Sequence, residues 1–185
     1  SLLGGGYIGV DVFFVISGYL ITGILLDDLR QGRFSLAGFY ERRARRILPA
    51  LFTVILASLP VAYVLMLPSQ LAEFCASIVT VLLALSNIYF LSQIDYFAPS
   101  AELQPLLHTW SLAIEEQYYL LWPLLTFGLL GRVGKQGLGI AAGGIAIAST
   151  GWMAWLYATQ IVDGDPSRIY LGTDTHLMGL LAGSA

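Results

Sequence analysis

The residues best suited to chemistry lie in one short stretch, Leu106–Gln117, which holds an imidazole, two hydroxyls and two carboxylates. If this stretch is helical from its start, His108, Ser111 and Glu115 occupy positions i, i+3 and i+7 on one face, and Glu116 flanks that face. An imidazole with a carboxylate partner is a common general base, and ionisable groups within an apolar segment are costly unless they have a function. The spacing therefore predicts a catalytic site built from these four side chains. The alternative is a polar network that only joins helices.

A second candidate site is a cluster of arginines at the start of another apolar segment: Arg42, Arg43, Arg45 and Arg46. A guanidinium donates two parallel hydrogen bonds to phosphate oxygens, so such a cluster suits a phosphorylated ligand. The alternative is a topology anchor that contacts anionic lipid headgroups, and spacing alone favours this anchor.

A third motif near the start of the chain is rich in glycine and consists of Gly5, Gly6, Tyr7, Gly9, Val10 and Asp11, followed by Ser17. Glycine permits close approach of backbones, and the Asp11 carboxylate could accept a hydrogen bond from another helix. Because no strand precedes the motif, it is not a nucleotide-binding loop, and local evidence favours close helix packing. The two histidines lie far apart without cysteines beside them, so no metal site is predicted, and His176 is expected to be a packing residue.

The composition shows what kind of elements must position these residues. Hydrophobic residues make up 57% of the 185 residues and charged residues 11%, against roughly 25% charged in soluble domains. This composition excludes a disordered chain, and the single cysteine, Cys75, excludes a disulfide scaffold. A net charge of −3 without a lysine-rich tract argues against nucleic acid as a partner. An integral membrane protein in contact with the lipid bilayer remains.

Long stretches with few or no charges predict an all-α, polytopic transmembrane helix bundle with about five to six apolar segments. Each stretch approaches the roughly 20 residues with which a helix crosses the hydrocarbon core, and an alternation of period two is absent. The predicted segments are Tyr7–Leu26, Ile47–Leu67, Phe74–Ile94, Leu106–Leu130, Leu138–Val162 and a last one from Ile169.

The basic connectors predict the orientation and one re-entrant segment. Asp27–Arg46 and Gly131–Gly137 carry most of the basic residues and should both be cytoplasmic. They fall on opposite sides if every segment between them spans the membrane. Phe74–Ile94 is the segment expected not to span, because it contains Ser77, Thr80, Ser86, Asn87 and Tyr89. A re-entrant or surface-lying segment there places Asp95–Trp110 on the outer side.

Three stretches, in this order, resemble the membrane-bound acyltransferase family 3: Gly5–Tyr19, Phe39–Pro49 and Pro105–Pro123. Tyr170–Ala185 resembles a later family segment more loosely. The family includes bacterial enzymes that O-acetylate lipopolysaccharide, peptidoglycan and other surface glycans. The chain is most similar to the subgroup that is often fused to a C-terminal, extracytoplasmic SGNH-type domain.

This resemblance implies transfer of an acyl group, usually acetyl, to a hydroxyl of a surface glycan beyond the cytoplasmic (inner) membrane. The implied donor substrate is acyl-CoA, in particular acetyl-CoA, and no bound cofactor is implied. The Arg42–Arg46 cluster would then hold the phosphates of the donor, and His108 and Glu115 would lie near the outer or mid-membrane acceptor side.

The resemblance also implies that residues 1–185 are part of a single acyltransferase domain that is truncated at both ends. The family's essential histidine precedes the glycine-rich motif, so we expect this chain alone to be inactive and the activity to belong to the whole protein. Two other classes stay open on the residues alone. One is a secondary transporter in which Asp11, Glu115 and Glu116 relay ions or protons. The other is a non-catalytic membrane scaffold.

Overall fold

A computed structural model describes residues 6–93, 104–160 and 167–185, and in these ranges the chain is helical and contains no strand. The helices are α1 (Gly6–Arg30), α2 (Leu36–Leu65), α3 (Pro68–Leu82), α4 (Ser86–Ser92), α5 (Trp110–Gln160), α6 (Ser167–Leu171) and α7 (Thr173–Ser184). Three stretches are long and apolar enough to cross a membrane: Ile8–Arg30, Leu36–Leu65 and Leu107–Thr159. The predicted all-α membrane bundle is confirmed. Gly5 and most of the predicted outer segment Asp95–Trp110 lie outside the described residues.

The polar connector predicted over Asp27–Arg46 is mostly helical, which corrects its extent. The first helix continues to Arg30, and α2 begins at Leu36. Ser35 starts α2 because its hydroxyl accepts a hydrogen bond from the Gly38 amide at 3.3 Å, which satisfies one of the free N–H groups of the first turn. The arginine cluster therefore lies within α2, about two to three turns from its start, and not in a loop.

Helix α5 is interrupted at Gly134, within the predicted connector Gly131–Gly137. The backbone of Gly134 has φ 67° and ψ −177°, a conformation that favours glycine. The break divides α5 into a first arm, residues 110–133, and a second arm, residues 135–160. At 1.5 Å per residue the arms are about 36 and 39 Å long, so each is long enough to cross a hydrocarbon core.

The two arms of α5 run in opposite directions on either side of α7. Trp110 lies against the start of α7 and Tyr118 against its end, so the first arm runs parallel to α7. Gly139 lies against the end of α7 and Ser149 against its start, so the second arm runs antiparallel. The break at Gly134 is therefore the turn of a helical hairpin.

Helices α3 and α4 form a short hairpin, as the re-entrant prediction for 74–94 requires. Ala84, between the helices, has a positive φ of 56°, and the Tyr89 hydroxyl donates to the Glu73 carbonyl at 3.2 Å. Since residues 73 and 89 lie at the same level, the chain enters with α3 and returns with α4. This reversal confirms that 74–94 does not cross as one helix.

The reversal brings the two basic connectors to the same end of the bundle. Phe34, just before α2, stacks on Phe127 of the first arm with ring centroids 5.7 Å apart. Farther along, the Tyr40 hydroxyl donates to the Leu120 carbonyl at 2.9 Å, so α2 and the first arm are antiparallel. The assignment of this shared end to the cytoplasm stays a prediction.

The buried core takes residues from all seven described helices, and within it α7 packs closely against α1. A Cβ atom added to Gly18 would lie 1.9 Å from the Leu180 carbonyl oxygen, so the two backbones are in direct contact. At Gly9 such an atom would meet nothing within 4 Å among the described residues. The close packing predicted for the glycine-rich motif is thus found at Gly18, one step beyond Ser17, and not at Gly9.

Candidate active site

The buried carboxylate of Glu115 is the centre of the candidate site. Its side chain is 4% exposed, on the first arm of α5, and the Tyr119 hydroxyl donates to its Oε1 at 2.9 Å. These two residues are one helical turn apart and therefore share a face. The buried Ser17 of α1 lies beside both groups. Ser17, which sequence analysis placed in the glycine-rich motif, is therefore part of the carboxylate site.

The arginine cluster of α2 adjoins this carboxylate. The Arg43 guanidinium carbon lies 4.2 Å from the centroid of the Tyr119 ring, which is a cation–π contact. Arg46 lies three residues further along α2, and its side chain is exposed. Two sites that sequence analysis treated as separate are therefore parts of one cluster. Their adjacency depends on the antiparallel packing of α2 and α5, which spacing along the chain does not reveal.

The other two arginines of the cluster are paired with carboxylates at the surface. Arg42 donates to Asp28 at 2.9 Å, and Arg45 forms an ion pair with Glu41 at 2.8 Å. Both arginines are exposed, and their partners lie on α1 and on the preceding turn of α2. Of the four predicted residues, Arg43 is the one that contacts Tyr119 and shares a cavity with Glu116.

Glu116 faces a cavity of about 310 Å³ between α2, the α3–α4 hairpin and the first arm of α5. Its Oε1 atom is buried and has no hydrogen-bond partner in the part of the chain that the structure describes. Arg43 lines the same cavity. Because a buried polar atom without a partner is unfavourable, this oxygen is suited to accept a hydrogen bond from a bound ligand.

His108 lies apart from Glu115. The helix expected from Leu106 begins at Trp110 instead, and His108 belongs to a 3-10 turn, Leu107–Thr109. Its Nδ1 atom is 3.0 Å from the Pro105 carbonyl, and its ring is exposed. Ser111 donates to the His108 carbonyl at 3.4 Å.

Side-chain hydrogen bonds account for the late start of the helix. The Thr109 hydroxyl donates to the Leu106 carbonyl at 2.6 Å, and the Ser86 hydroxyl donates to the Thr109 carbonyl at 3.0 Å. Both carbonyls thereby bond to side chains, an alternative to the helical pattern. Because the first turn is not α-helical, spacing alone does not place His108 on the face of Glu115.

Asp11 has the partner on another helix that sequence analysis expected, and this partner is His176. Their Oδ1 and Nδ1 atoms are 3.2 Å apart, and His176 Nε2 is 3.0 Å from the Tyr170 carbonyl. His176 is 8% exposed, and Phe14 and Trp110 pack against its ring. His176 is thus a packing residue that also pairs with Asp11, a contact between residues 165 positions apart.

Sequence analysis missed a polar network that fixes the tip of the α3–α4 hairpin. Gln117 donates to the Ala84 carbonyl at 2.8 Å and to the Asn87 side chain at 2.9 Å. The Thr173 hydroxyl donates to the Gln117 side-chain oxygen at 2.8 Å and accepts a hydrogen bond from the Asn87 amide nitrogen at 2.8 Å. The same Asn87 nitrogen also donates to the Leu171 carbonyl at 3.1 Å. The available signal was two amide side chains within apolar segments.

Similarity to known proteins identifies the family of this chain. The model of the Acyltransferase domain matches residues 2–184. The chain belongs to this acyltransferase family. It is 39% identical over 183 residues to the O-acetyltransferase OatA of Staphylococcus aureus strain NCTC 8325 / PS 47, and equally to that of strain MRSA252. Each match covers 98% of this chain and 30% of the relative, so the chain spans less than a third of these proteins. No solved structure matches.

The acyltransferase family confirms the resemblance drawn from the three motifs. With three stretches long enough to span, the chain forms a multi-pass membrane helix bundle. The family match also covers both halves of the candidate site, since α2 and the first arm of α5 lie within residues 2–184.

Proposed function

We propose that the whole protein is a membrane O-acyltransferase. It moves an acyl group, usually acetyl, from acyl-CoA at the cytoplasmic face of the inner membrane to a hydroxyl of an extracytoplasmic glycan. The observation that carries this proposal is the contact of Arg43 with the ring of Tyr119, whose hydroxyl donates to the buried Glu115. Cations suited to phosphate and a buried carboxylate suited to proton transfer belong to one cluster. The relatives named O-acetyltransferase support acetyl as the transferred group.

Arg43 and Arg46 are proposed to hold the phosphates of the donor. Their neighbours Arg42 and Arg45 already pair with surface carboxylates and would have to break these pairs to bind a ligand. Arg43 is in addition fixed over the Tyr119 ring, so its guanidinium is oriented before the donor binds.

The acceptor is proposed to approach from the opposite end of the first arm. His108 and Ser111 precede Glu115 in the chain, whereas Tyr119, with Arg43 above it, follows Glu115 by one turn. His108 precedes Glu115 by seven residues, and its exposed ring lies in the 3-10 turn before α5, which leaves room for a sugar hydroxyl between the donor and the imidazole. In this arrangement His108 orients the acceptor.

The proposed reaction needs a base and a site for the leaving group. The acceptor hydroxyl oxygen attacks the thioester carbonyl carbon, a carboxylate accepts the hydroxyl proton, the C–S bond breaks, and the CoA sulfur leaves and takes up a proton. Glu116 presents the oxygen without a partner, and Glu115 is held by Tyr119. We propose Glu116 as the group closest to the donor and Glu115 as its positioned neighbour.

Binding of acetyl-CoA to the purified whole protein in detergent tests the proposal, and the arginines supply matched variants. Arg43→Gln and Arg46→Gln should each weaken acetyl-CoA binding about 10-fold or more, because each removes a charged hydrogen bond of about 1.5–3 kcal/mol. Arg45→Gln, which removes an equal charge from the surface pair with Glu41, should leave binding unchanged.

Three outcomes of this experiment count against the proposal. Equal losses in all three variants would indicate a general effect of charge, as in a topology anchor. Absence of acetyl-CoA binding by the unmodified protein would favour a transporter or a scaffold. Binding without transfer to any glycan hydroxyl would show that the donor site serves another reaction.

A further inference from the structure

We infer that the cavity between α2, the tip of the α3–α4 hairpin and the first arm of α5 binds the acyl end of the donor, and that its aliphatic wall sets the length of acyl chain accepted. This inference rests on the proposed function. It assigns a role to the hairpin, which neither the arginines nor the carboxylates explain.

The size and lining of the cavity suit the apolar end of a small ligand. Its volume of about 310 Å³ lies at the lower end of the range typical of ligand pockets, and its lining is mostly aliphatic. The side chains that form this aliphatic wall come from α2, from the hairpin tip and from α5: Leu48, Leu51, Val81, Leu83, Leu112 and Ala113.

Tyr40 and Arg43, two of the polar side chains of the cavity, lie towards one end of it. Because α2 and the first arm are antiparallel, Tyr40 and Arg43 near the start of α2 lie beside Tyr119 farther along α5. Leu51, a few turns later on α2, lies towards the hairpin tip and Leu112. A ligand in the cavity would therefore place its polar part near the arginine and its apolar part against the hairpin.

The environment of Glu116 indicates which kind of amphiphilic ligand suits the cavity. The Glu116 Oε1 is buried and lacks a hydrogen-bond partner among the described residues, so a ligand with an N–H donor near Glu116 would satisfy this oxygen. The arm that joins the thioester of acyl-CoA to its nucleotide contains amide N–H groups, and its phosphates complement the arginines. A lipid acyl chain lacks such donors next to its apolar part.

The hairpin tip is fixed firmly enough to act as a wall. Gln117, the residue after Glu116, donates to the Ala84 carbonyl at the tip and to Asn87 just beyond it. Asn87 in turn donates to the Leu171 carbonyl at 3.1 Å, which ties the tip to the segment before α7. A satisfied polar network of this kind holds a single arrangement, as discrimination of ligand length requires.

The experiment compares acetyl-, propionyl- and butyryl-CoA as donors for the whole protein. Val81→Ala and Leu112→Ala enlarge the cavity and should raise the ratio of kcat/KM for butyryl-CoA to that for acetyl-CoA at least 10-fold, since one methylene in a tight pocket changes discrimination by roughly 10- to 200-fold. Leu112→Phe reduces the cavity and should lower the ratio for propionyl-CoA to acetyl-CoA. Leu125→Ala, an exposed position on the same arm outside the cavity, is the control.

The possible results separate this inference from the proposed function. The inference is overturned if the cavity variants retain acetyl transfer and their ratio of kcat/KM for the longer acyl-CoA to that for acetyl-CoA is unchanged. This result would indicate that lipid or another part of the whole protein fills the cavity. If an alanine variant fails to fold, the result for Leu112→Phe decides. If the unmodified protein transfers no acyl group from any acyl-CoA, the proposed function fails, and the inference fails with it.

Discussion

Arg43 of α2 lies 4.2 Å above the ring of Tyr119, and the hydroxyl of the same tyrosine donates to Glu115 at 2.9 Å. Tyr119 therefore contacts both the cation, Arg43, and the anion, Glu115, of the candidate site. The ring supports the arginine, and the hydroxyl holds the carboxylate. Substitutions at this position can separate the two functions.

Tyr119→Phe should reduce transfer while it leaves donor binding nearly unchanged. The phenyl ring keeps the contact with Arg43, but Glu115 loses a hydrogen bond of about 1.5–3 kcal/mol, which corresponds to roughly 10- to 100-fold in rate. Tyr119→Leu removes both contacts and should also raise KM for the donor. Steady-state kinetics with acetyl-CoA in the whole protein measures kcat and KM separately. Equal behaviour of the two variants would show that the contact with Arg43 has no part in donor binding.

The two adjacent glutamates should differ in their effect on stability. Glu115→Gln disturbs a buried, hydrogen-bonded carboxylate and should lower both thermal stability and transfer. Glu116→Gln alters a side chain whose Oε1 makes no hydrogen bond to the described residues, so it should lose about 10²–10⁴-fold in transfer with little change in Tm. Thermal unfolding in detergent, paired with a transfer assay, gives both readings. A fall in Tm for Glu116→Gln with transfer preserved would assign this residue a structural role instead.

Composition and charge predicted the architecture well because a bilayer restricts the chain so strongly. A run of apolar residues must be helical there, and the polar side chains of 74–94 correctly indicated a segment that turns back. The break at Gly134 also follows from its sequence, since the glycines and charges of Gly131–Gly137 interrupt the apolar pattern.

The composition of the candidate site was less predictable, because it depends on which helix faces pack together. Spacing along one helix joined His108 to Glu115, yet Glu115 instead meets Ser17 of α1, Tyr119 and the charge of Arg43 on α2. Helix periodicity describes neighbours within one helix and contains no information on the partner helix. The start of α5 at Trp110 depends likewise on a hydrogen bond from Ser86, in a different element.

The hairpin of α3 and α4 predicts a specific labelling pattern. Gln70 and Gln93 line a common small cavity near the open end of the hairpin, so cysteines introduced at both positions should face the same side of the membrane. A cysteine at Gly134 should face the other side, with the basic connectors. Each single cysteine is introduced into a Cys75→Ala background, because Cys75 is exposed. An impermeant reagent added outside should label Gln70→Cys and Gln93→Cys but spare Gly134→Cys, and labelling of Gly134→Cys would contradict the predicted orientation.

Two glycines of α1 offer a direct test of the packing between α1 and α7. Gly18→Ala places a methyl group 1.9 Å from the Leu180 carbonyl oxygen, so the helices must separate, and overpacking of this kind costs about 1–3 kcal/mol. Gly9→Ala adds the same methyl where nothing among the described residues lies within 4 Å, and alanine is the better helix former by about 0.5–1 kcal/mol. Thermal unfolding of the purified whole protein should therefore show a lower Tm for Gly18→Ala and an equal or higher Tm for Gly9→Ala.

Because Ser184 of α7 donates to the Gly18 carbonyl at 3.2 Å and also bonds to Tyr118 of the first arm, separation at Gly18 should propagate to α5 and reduce transfer as well. An equal Tm for the two variants would show that α1 and α7 do not approach each other closely in the whole protein.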